Sequence, residues 1–147
     1  MREILFRGKR VDNNEWIYGY YHKLDKQDLL DKTYIIPDYA SAIYSYEVIP
    51  ETIGQYTGLK DKSGVKIFEG DIIRTYANYG YGKIKKEVEI ISQVIYYVDE
   101  EKTTSGLNTN HMSAFKTKQL NKQEYTSVDW SMFFQCEVIG NIHDKEV

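Results

Sequence analysis

The stretch that decides the fold is Glu87-Val88-Glu89-Ile90-Ile91-Ser92-Gln93-Val94-Ile95-Tyr96-Tyr97-Val98. It is rich in β-branched and aromatic residues, which fit the pleated, half-buried surface of a sheet. In an extended chain Val88, Ile90 and Val94 fall on one face, while Glu89 and Gln93 fall on the other. This alternation over so long a run predicts a central strand that is paired on both sides.

The beginning of the chain predicts a β-hairpin. Residues 2–10 alternate loosely, with Leu5 and Arg7 on one face, and the polar cluster at residues 12–15 is typical of a turn. The aromatic run at residues 16–21 then returns as the second strand.

Glycines and prolines divide the rest of the chain into short strands. The predicted strands cover residues 33–36, 44–49, 66–68, 71–74 and 135–142. Pro37 and Pro50 end the first two, because proline has no donor for a sheet hydrogen bond. Gly19 predicts a close approach by a neighbouring backbone or ring, and Gly70 a bulge or sharp bend. Residues 61–64 (Asp-Lys-Ser-Gly) predict a type I turn that ends on a left-handed glycine.

The composition supports a mainly β fold with little helix. The chain of 147 residues has 14 tyrosines and only two prolines, and its length is that of one ordinary domain. We predict an N-terminal antiparallel sheet of hairpins over residues 1–50 and a small, SH3-like, partly open β-barrel over residues 51–147. The two regions can also form one compact domain.

Charge and hydropathy limit the partners and the compartment. The formal net charge of −3 provides no overall positive field for nucleic acid. No apolar run is long enough to span a bilayer, so no membrane association is expected. The first residues are charged and lack a signal-peptide core, and the single cysteine, Cys136, suits a reducing compartment. These features predict a cytoplasmic protein.

The sequence lacks the strong motifs of catalysis and cofactor binding. It has no phosphate-binding loop, dinucleotide fingerprint, Cys-x-x-Cys pair or His-Glu-x-x-His, so no cofactor is expected. His22, His111 and His143 are isolated from one another, which predicts no metal site. Cys136 stands in an apolar run that raises the pKa of a thiol, which argues against a nucleophile. We therefore expect a protein that is not an enzyme.

Glu69 and Asp71 are the one carboxylate pair with a catalytic alternative. They flank Gly70 at a junction between strands, and a hydrolase or nuclease could use them as an acid and a base. The favoured interpretation is structural: Glu69 stays solvated, while Asp71 accepts hydrogen bonds from backbone amides in the bend.

A second alternative is a surface for single-stranded nucleic acid. Cations and tyrosines alternate without an acid between residues 74 and 86, where phosphates could pair with the cations and bases could stack on the rings. The candidate residues are Arg74, Tyr76, Tyr79, Tyr81, Lys83, Lys85 and Lys86. The contrasting interpretation is a hairpin loop whose tyrosines cover a neighbouring sheet or subunit.

The tyrosines outside this segment exceed the needs of one small core. They are Tyr18, Tyr20, Tyr21, Tyr34, Tyr39, Tyr44, Tyr46, Tyr96 and Tyr97. Tyrosine is enriched at protein interfaces, so we expect self-association into a homo-oligomer. A non-enzymatic binding or interaction protein is therefore the leading functional hypothesis.

Three blocks of the sequence resemble the YopX family. They are Arg2-Glu3-Ile4-Leu5-Phe6-Arg7-Gly8-Lys9-Arg10 with Trp16-Ile17-Tyr18-Gly19-Tyr20, Thr52-Ile53-Gly54-Gln55-Tyr56-Thr57-Gly58-Leu59-Lys60-Asp61 running into Glu69-Gly70-Asp71-Ile72-Ile73, and Glu137-Val138-Ile139-Gly140-Asn141-Ile142. The resemblance implies a mostly β fold and an origin in a temperate phage or prophage of a low-GC Gram-positive bacterium. It implies no activity, and it assigns no catalytic residue. A phage or host protein is thus an expected partner inside the bacterial host.

Overall fold

The computed structural model describes residues 3–24, 32–40, 44–79, 86–97, 114–121 and 135–144. In these residues the strands are β1 (Phe6–Lys9), β2 (Trp16–Leu24), β3 (Lys32–Pro37), β4 (Tyr46–Val48), β5 (Gly54–Lys60), β6 (Lys66–Phe68), β7 (Asp71–Tyr79), β8 (Lys86–Tyr97), β9 (Ala114–Gln119) and β10 (Glu137–Asn141). A short 3-10 helix, Pro50–Thr52, lies between β4 and β5. The mainly β prediction is confirmed.

The first sheet has six strands in the order β4-β3-β2-β1-β5-β6, with antiparallel pairing. The predicted hairpin is present as β1 and β2, joined by a turn in which Asn14 has a positive φ of 60°. The outer edge of β4 is covered by the segment after β1, since Arg10 bridges Val48 and the Val11 amide donates to the Glu47 carbonyl at 3.0 Å. The sheet therefore curls, so that the residues just after β1 reach its β4 edge.

The second sheet has four strands in the order β10-β7-β8-β9. Strand β8 occupies the position predicted for residues 87–98 and pairs with β7 on one side and β9 on the other. The prediction of a long, central, doubly paired strand is confirmed. The last predicted strand is also present, as β10.

The predicted SH3-like barrel is not what the described strands form. Strands β5 and β6 follow position 50 in the chain, yet they extend the N-terminal sheet, because Gln55 and Gly54 pair with Phe6 and Arg7 of β1. Only β7 to β10 remain for the second sheet, whose described strands are open and not closed into a barrel. Because β5 is hydrogen-bonded to β1, β5 and β6 belong to the first sheet and are not available for a C-terminal barrel.

Three apolar clusters form the core of the described residues. One lies inside the curled first sheet, a second lies where β1, β5 and β6 meet, and the third covers the second sheet. Their members are Ile17, Ile35 and Val48; Leu5, Tyr56 and Phe68; and Ile67, Ile73, Val94, Phe115 and Cys136. Cys136 is fully buried, and burial raises the pKa of its thiol to about 11. The predicted burial of the cysteine is confirmed.

Asp61 links the turn between β5 and β6 to β10. The turn has the predicted form, with the Gly64 amide donating to the Asp61 carbonyl at 3.0 Å and Gly64 at a φ of 85°. One carboxylate oxygen of Asp61 accepts from the amides of Ser63 and Val65 at 2.8 and 2.9 Å, and the other accepts from the Val138 amide at 3.1 Å. Burial opposes ionisation, but these amides together hold the pKa of Asp61 below its usual value.

Replacing Asp61 with alanine should lower the free energy of unfolding by about 3 kcal/mol at pH 7, because three partly buried backbone amides lose their acceptor. The folded-state pKa is depressed, so this stabilisation is present above the unfolded pKa and is lost as the pH falls through the folded one. Urea titrations from pH 7 down to about pH 2 measure both effects. Asp12→Ala, at an exposed ion pair with Arg10, is the control and should change little. Equal losses for both variants would contradict the prediction.

Candidate functional site

A buried ion pair joins the two sheets. The Arg7 guanidinium in β1 donates from Nη2 to Oδ1 of Asp71, the first residue of β7. Oδ2 of Asp71 accepts from the Phe68 amide at 2.8 Å, and Asn141 Nδ2 donates to Oδ1 at 3.3 Å. Asp71 is only 1% exposed. Burial raises the pKa of its carboxyl, against the charge of Arg7 and these hydrogen bonds, which lower it.

Two aromatic rings contact the same guanidinium. The Arg7 Cζ atom lies 4.5 Å from the centroid of the Trp16 ring and 4.7 Å from that of Phe68. Such cation–π contacts strengthen when water is excluded. Trp16 Nε1 in turn donates to Asp144 at 3.1 Å, and the same carboxylate accepts from Lys9. The start of the chain is thereby tied to the turn after β10.

Arg7, Trp16 and Phe68 also line a cavity of about 660 Å³, which we call the groove. Its lining extends from residues of the first sheet to Val138 of β10. The other apolar and aromatic side chains that line it are Leu5, Ile17, Tyr18, Tyr39 and Val65. The Tyr18 and Phe68 ring centroids lie 5.5 Å apart, so the tyrosine extends the apolar floor toward solvent. This arrangement suits an apolar or aromatic group of a ligand.

The charges along the groove are balanced. Besides Arg7, its lining contains the cations Arg10 and Lys66 and the acids Glu15 and Asp38. Each cation already has a carboxylate: Arg7 has Asp71, Arg10 has Asp12, and Lys66 has Glu3 at 2.7 Å. The bond to Glu3 raises the pKa of Lys66, so this side chain stays cationic. The groove thus carries no excess of positive charge for a polyphosphate.

Several of the predicted interface tyrosines are exposed. In the described residues these are Tyr18, Tyr20, Tyr21, Tyr39, Tyr44 and Tyr96, with Tyr39 at 80%. Tyr34 and Tyr46 are half-buried, and the side chain of Tyr97 lies outside the described residues. Of these, Tyr18 on β2 and Tyr39 in the turn after β3 line the groove, whereas Tyr21 lines a separate cavity with Lys23 and Thr33.

The predicted nucleic-acid residues are only partly described. Tyr81, Lys83, Lys85 and the side chain of Tyr79 lie outside the described residues. Arg74 is half-buried, and its guanidinium lies 3.5 Å from Glu89 and 3.8 Å from Glu137. Tyr76 Oη lies 3.5 Å from Glu89, and Lys86 is exposed. Arg74 and Tyr76 are thus brought together around Glu89, and the cation of Arg74 is already paired.

The alternative carboxylate pair, Glu69 and Asp71, is not brought together in the cavity that Glu69 lines. Asp71 is buried against Arg7 and accepts the Phe68 amide, as the structural interpretation predicted. Glu69 is half-buried and lines a separate cavity of about 110 Å³ together with Glu51, Gln93 and His143; Asp71 is not part of its lining. Burial, reinforced by the charges of Lys9 and Arg7, lowers the pKa of His143. This cavity therefore offers no paired acid and base of the kind proposed for Glu69 and Asp71.

Metal ligands are likewise dispersed. Among the described residues, no three side chains of His, Cys, Asp or Glu lie close enough to hold a metal ion. His111 lies outside those residues, and His22 is an exposed residue of β2.

Sequence reasoning singled out Tyr18 and Tyr39 as interface tyrosines, but it did not identify the other residues that build the groove. Arg7 and Trp16 were seen only as strand residues, and Lys66 and Phe68 as parts of a short strand. A signal was present: Arg7 shares a strand face with the apolar Leu5, and a cation in the apolar row of a strand needs a buried partner. The partner itself, 64 positions away, could not be found from spacing.

These features define an antiparallel β protein of two open sheets, joined by a buried ion pair and bearing an aromatic groove. In the described residues, no helix has the length and apolar character needed to cross a membrane. The chain belongs to the YopX family, since the family model described as YopX protein matches residues 5–146. The resemblance seen in the sequence is thereby confirmed.

The chain is also similar to a solved structure, that of protein EF1440 from Enterococcus faecalis. The two share 23% sequence identity with a TM-score of 0.49, and the match covers 97% of this chain and 95% of the other. No curated protein matches the chain.

Proposed function

We propose that this chain is a non-enzymatic interaction protein, encoded by a phage or prophage, that binds a protein partner inside the bacterial host through the groove. The observation that carries the proposal is the lining of the groove, where Trp16 and Phe68 contact the Arg7 guanidinium and Tyr18 packs on Phe68. Tryptophan, tyrosine and arginine are the residues that dominate binding energy at protein interfaces. An apolar floor with a rim of both charges is the usual anatomy of such an interface.

The charges favour a protein over a nucleic acid as the ligand of the groove. A polyphosphate needs cations that are available to its phosphates, and affinity then depends on how many are engaged. The groove cations Arg10 and Lys66 are paired with acids of the same chain, and Glu15 and Asp38 add negative charge to the lining. A protein surface with balanced polar groups does not need unpaired cations in order to bind.

Binding of single-stranded nucleic acid through Arg74–Lys86 is the second proposal for this chain. The exposure of Tyr76 and Lys86 supports it, because both side chains are available for stacking and for phosphates. The pairing of Arg74 with Glu89 and Glu137 weakens it. The two proposals use different sheets, so a variant can disable one surface and leave the other unchanged.

Affinity purification of the full chain from host cells tests the groove. We expect Tyr18→Ala, which removes an aromatic wall, to lower the recovery of a protein partner about tenfold, since a central aromatic anchor contributes more than 1 kcal/mol. Tyr76→Ala on β7 is the matched control, with a ring of similar exposure, and it should leave recovery unchanged.

Circular dichroism and a thermal melt verify that both variants are folded. Equal recovery with wild type and Tyr18→Ala would sink the groove proposal. Recovery that is abolished by nuclease treatment, and that falls with Tyr76→Ala and Lys86→Glu instead, would establish the nucleic-acid proposal in its place.

A further inference from the structure

Tyr39 is a projecting ring at the mouth of the groove. It lies in the turn after β3, which is closed by a hydrogen bond from the Ala40 amide to the Pro37 carbonyl at 3.1 Å. The ring is 80% exposed although it adjoins the apolar floor formed by Leu5 and Phe68. The same surface therefore carries an exposed aromatic ring and an apolar groove that such a ring could fill.

The groove mouth also carries both acidic and basic side chains. Asp38 precedes Tyr39, and Lys66 of β6 also lines the groove, near enough to feel the charge of Asp38. Arg10 and Glu15 supply a second cation and a second acid to the lining. A two-fold interface uses one patch twice, so it needs a patch that carries both members of each complementary pair. The groove mouth meets that condition.

We propose that the groove is filled by a second copy of this chain. In this two-fold dimer, Tyr39 of each copy enters the groove of the other, and Asp38 approaches the cation at position 66 across the interface as a second carboxylate beside Glu3. The inference rests on the proposed function, because it names the partner that occupies the same groove. The small net charge of −3 opposes such self-association only weakly.

The first test is the mass of the full chain in solution. Sedimentation equilibrium should show a concentration-dependent dimer, and Tyr39→Ala should raise its dissociation constant about tenfold or more, as loss of an aromatic anchor does. Tyr44→Ala is the matched control: Tyr44 is 62% exposed and is not part of the groove lining, so its loss should leave the constant unchanged.

Exchange of charge between two chains gives the sharper test. Lys66→Glu places acids at positions 38 and 66 of one chain, and Asp38→Lys places cations at both positions of another. Each variant alone should be monomeric where the wild type dimerises, whereas an equimolar mixture should form a heterodimer with two attractive contacts. An effect confined within one chain cannot produce that recovery on mixing, and thermal melts confirm that both variants are folded.

The outcomes separate this inference from the proposed function. A chain that stays monomeric up to a concentration on the order of 1 mM, a dimer indifferent to Tyr39→Ala, or a mixture that stays monomeric overturns the inference. The proposed function stands if, in the same preparation, Tyr18→Ala lowers the capture of a different protein about tenfold. If neither self-association nor such capture depends on the groove, both fail.

Discussion

Replacing Gly19 with alanine should prevent the chain from folding stably at 25 °C. A Cβ atom at this position would lie 1.9 Å from the Ile36 carbonyl oxygen and 2.8 Å from Pro37 Cα. These are backbone atoms of the paired strand β3, so they cannot swing aside as a flexible side chain does. Relief requires β2 and β3 to separate, which breaks their ladder. We expect a loss of at least about 4 kcal/mol, at the extreme of single substitutions.

The matched control is Gly140→Ala in β10. A Cβ atom there meets nothing within 4 Å, and Gly140 is not among the glycines with positive φ. Alanine reduces the conformational freedom of the unfolded chain, so this variant should be neutral or more stable by about 0.5 kcal/mol. Urea unfolding followed by circular dichroism measures both variants. A Gly19→Ala protein that unfolds at the wild-type urea concentration would contradict the close approach of the two strands.

Local features of the fold could be predicted because their causes are local. The alternation at residues 87–98 needs only its own pattern to specify a strand with two faces, and β8 has that form. Gly64 follows from the backbone geometry of one turn, and it has the expected positive φ. Gly19 indicated a close approach, although the sequence did not say which atom approaches.

The pairing of distant strands could not be predicted in the same way. Nothing in the local pattern of residues 54–60 distinguishes pairing with β1 from pairing within a C-terminal barrel, since both bury the same face. The groove depends on that choice, because β6 brings Phe68 and Lys66 beside Trp16 only when β5 has joined the first sheet. The candidate site was therefore missed for the same physical reason as the sheet order.

The second large effect is expected at the ion pair of Arg7 and Asp71. Asp71→Asn keeps the shape of the side chain but leaves the buried guanidinium without a counter-charge, and arginine cannot shed its proton. We expect a loss of about 3 to 5 kcal/mol, as found when one partner of a buried pair is removed. Glu47→Gln, at the exposed pair with Lys32, is the control and should cost less than about 0.5 kcal/mol.

The reverse variant should behave differently with pH. Arg7→Met fills the space between Trp16 and Phe68 but leaves a buried carboxylate, whose pKa burial already raises with Arg7 present. In this variant the pKa of Asp71 is higher in the folded state than in the unfolded state. As the pH falls, the folded protein therefore binds a proton at Asp71 before the unfolded chain does. Stability should therefore rise relative to wild type as the pH falls from the folded pKa toward the unfolded one.

A double-mutant cycle completes the argument. Removing both charges in Arg7→Met/Asp71→Asn leaves no unpaired ion, so the double variant should lose about 2 kcal/mol less than the sum of the two single losses. Urea titrations at pH 7 and at about pH 5 supply all the free energies. Additive losses that do not change with pH would mean that Arg7 and Asp71 act independently, and that their pairing does not help to hold the two sheets together.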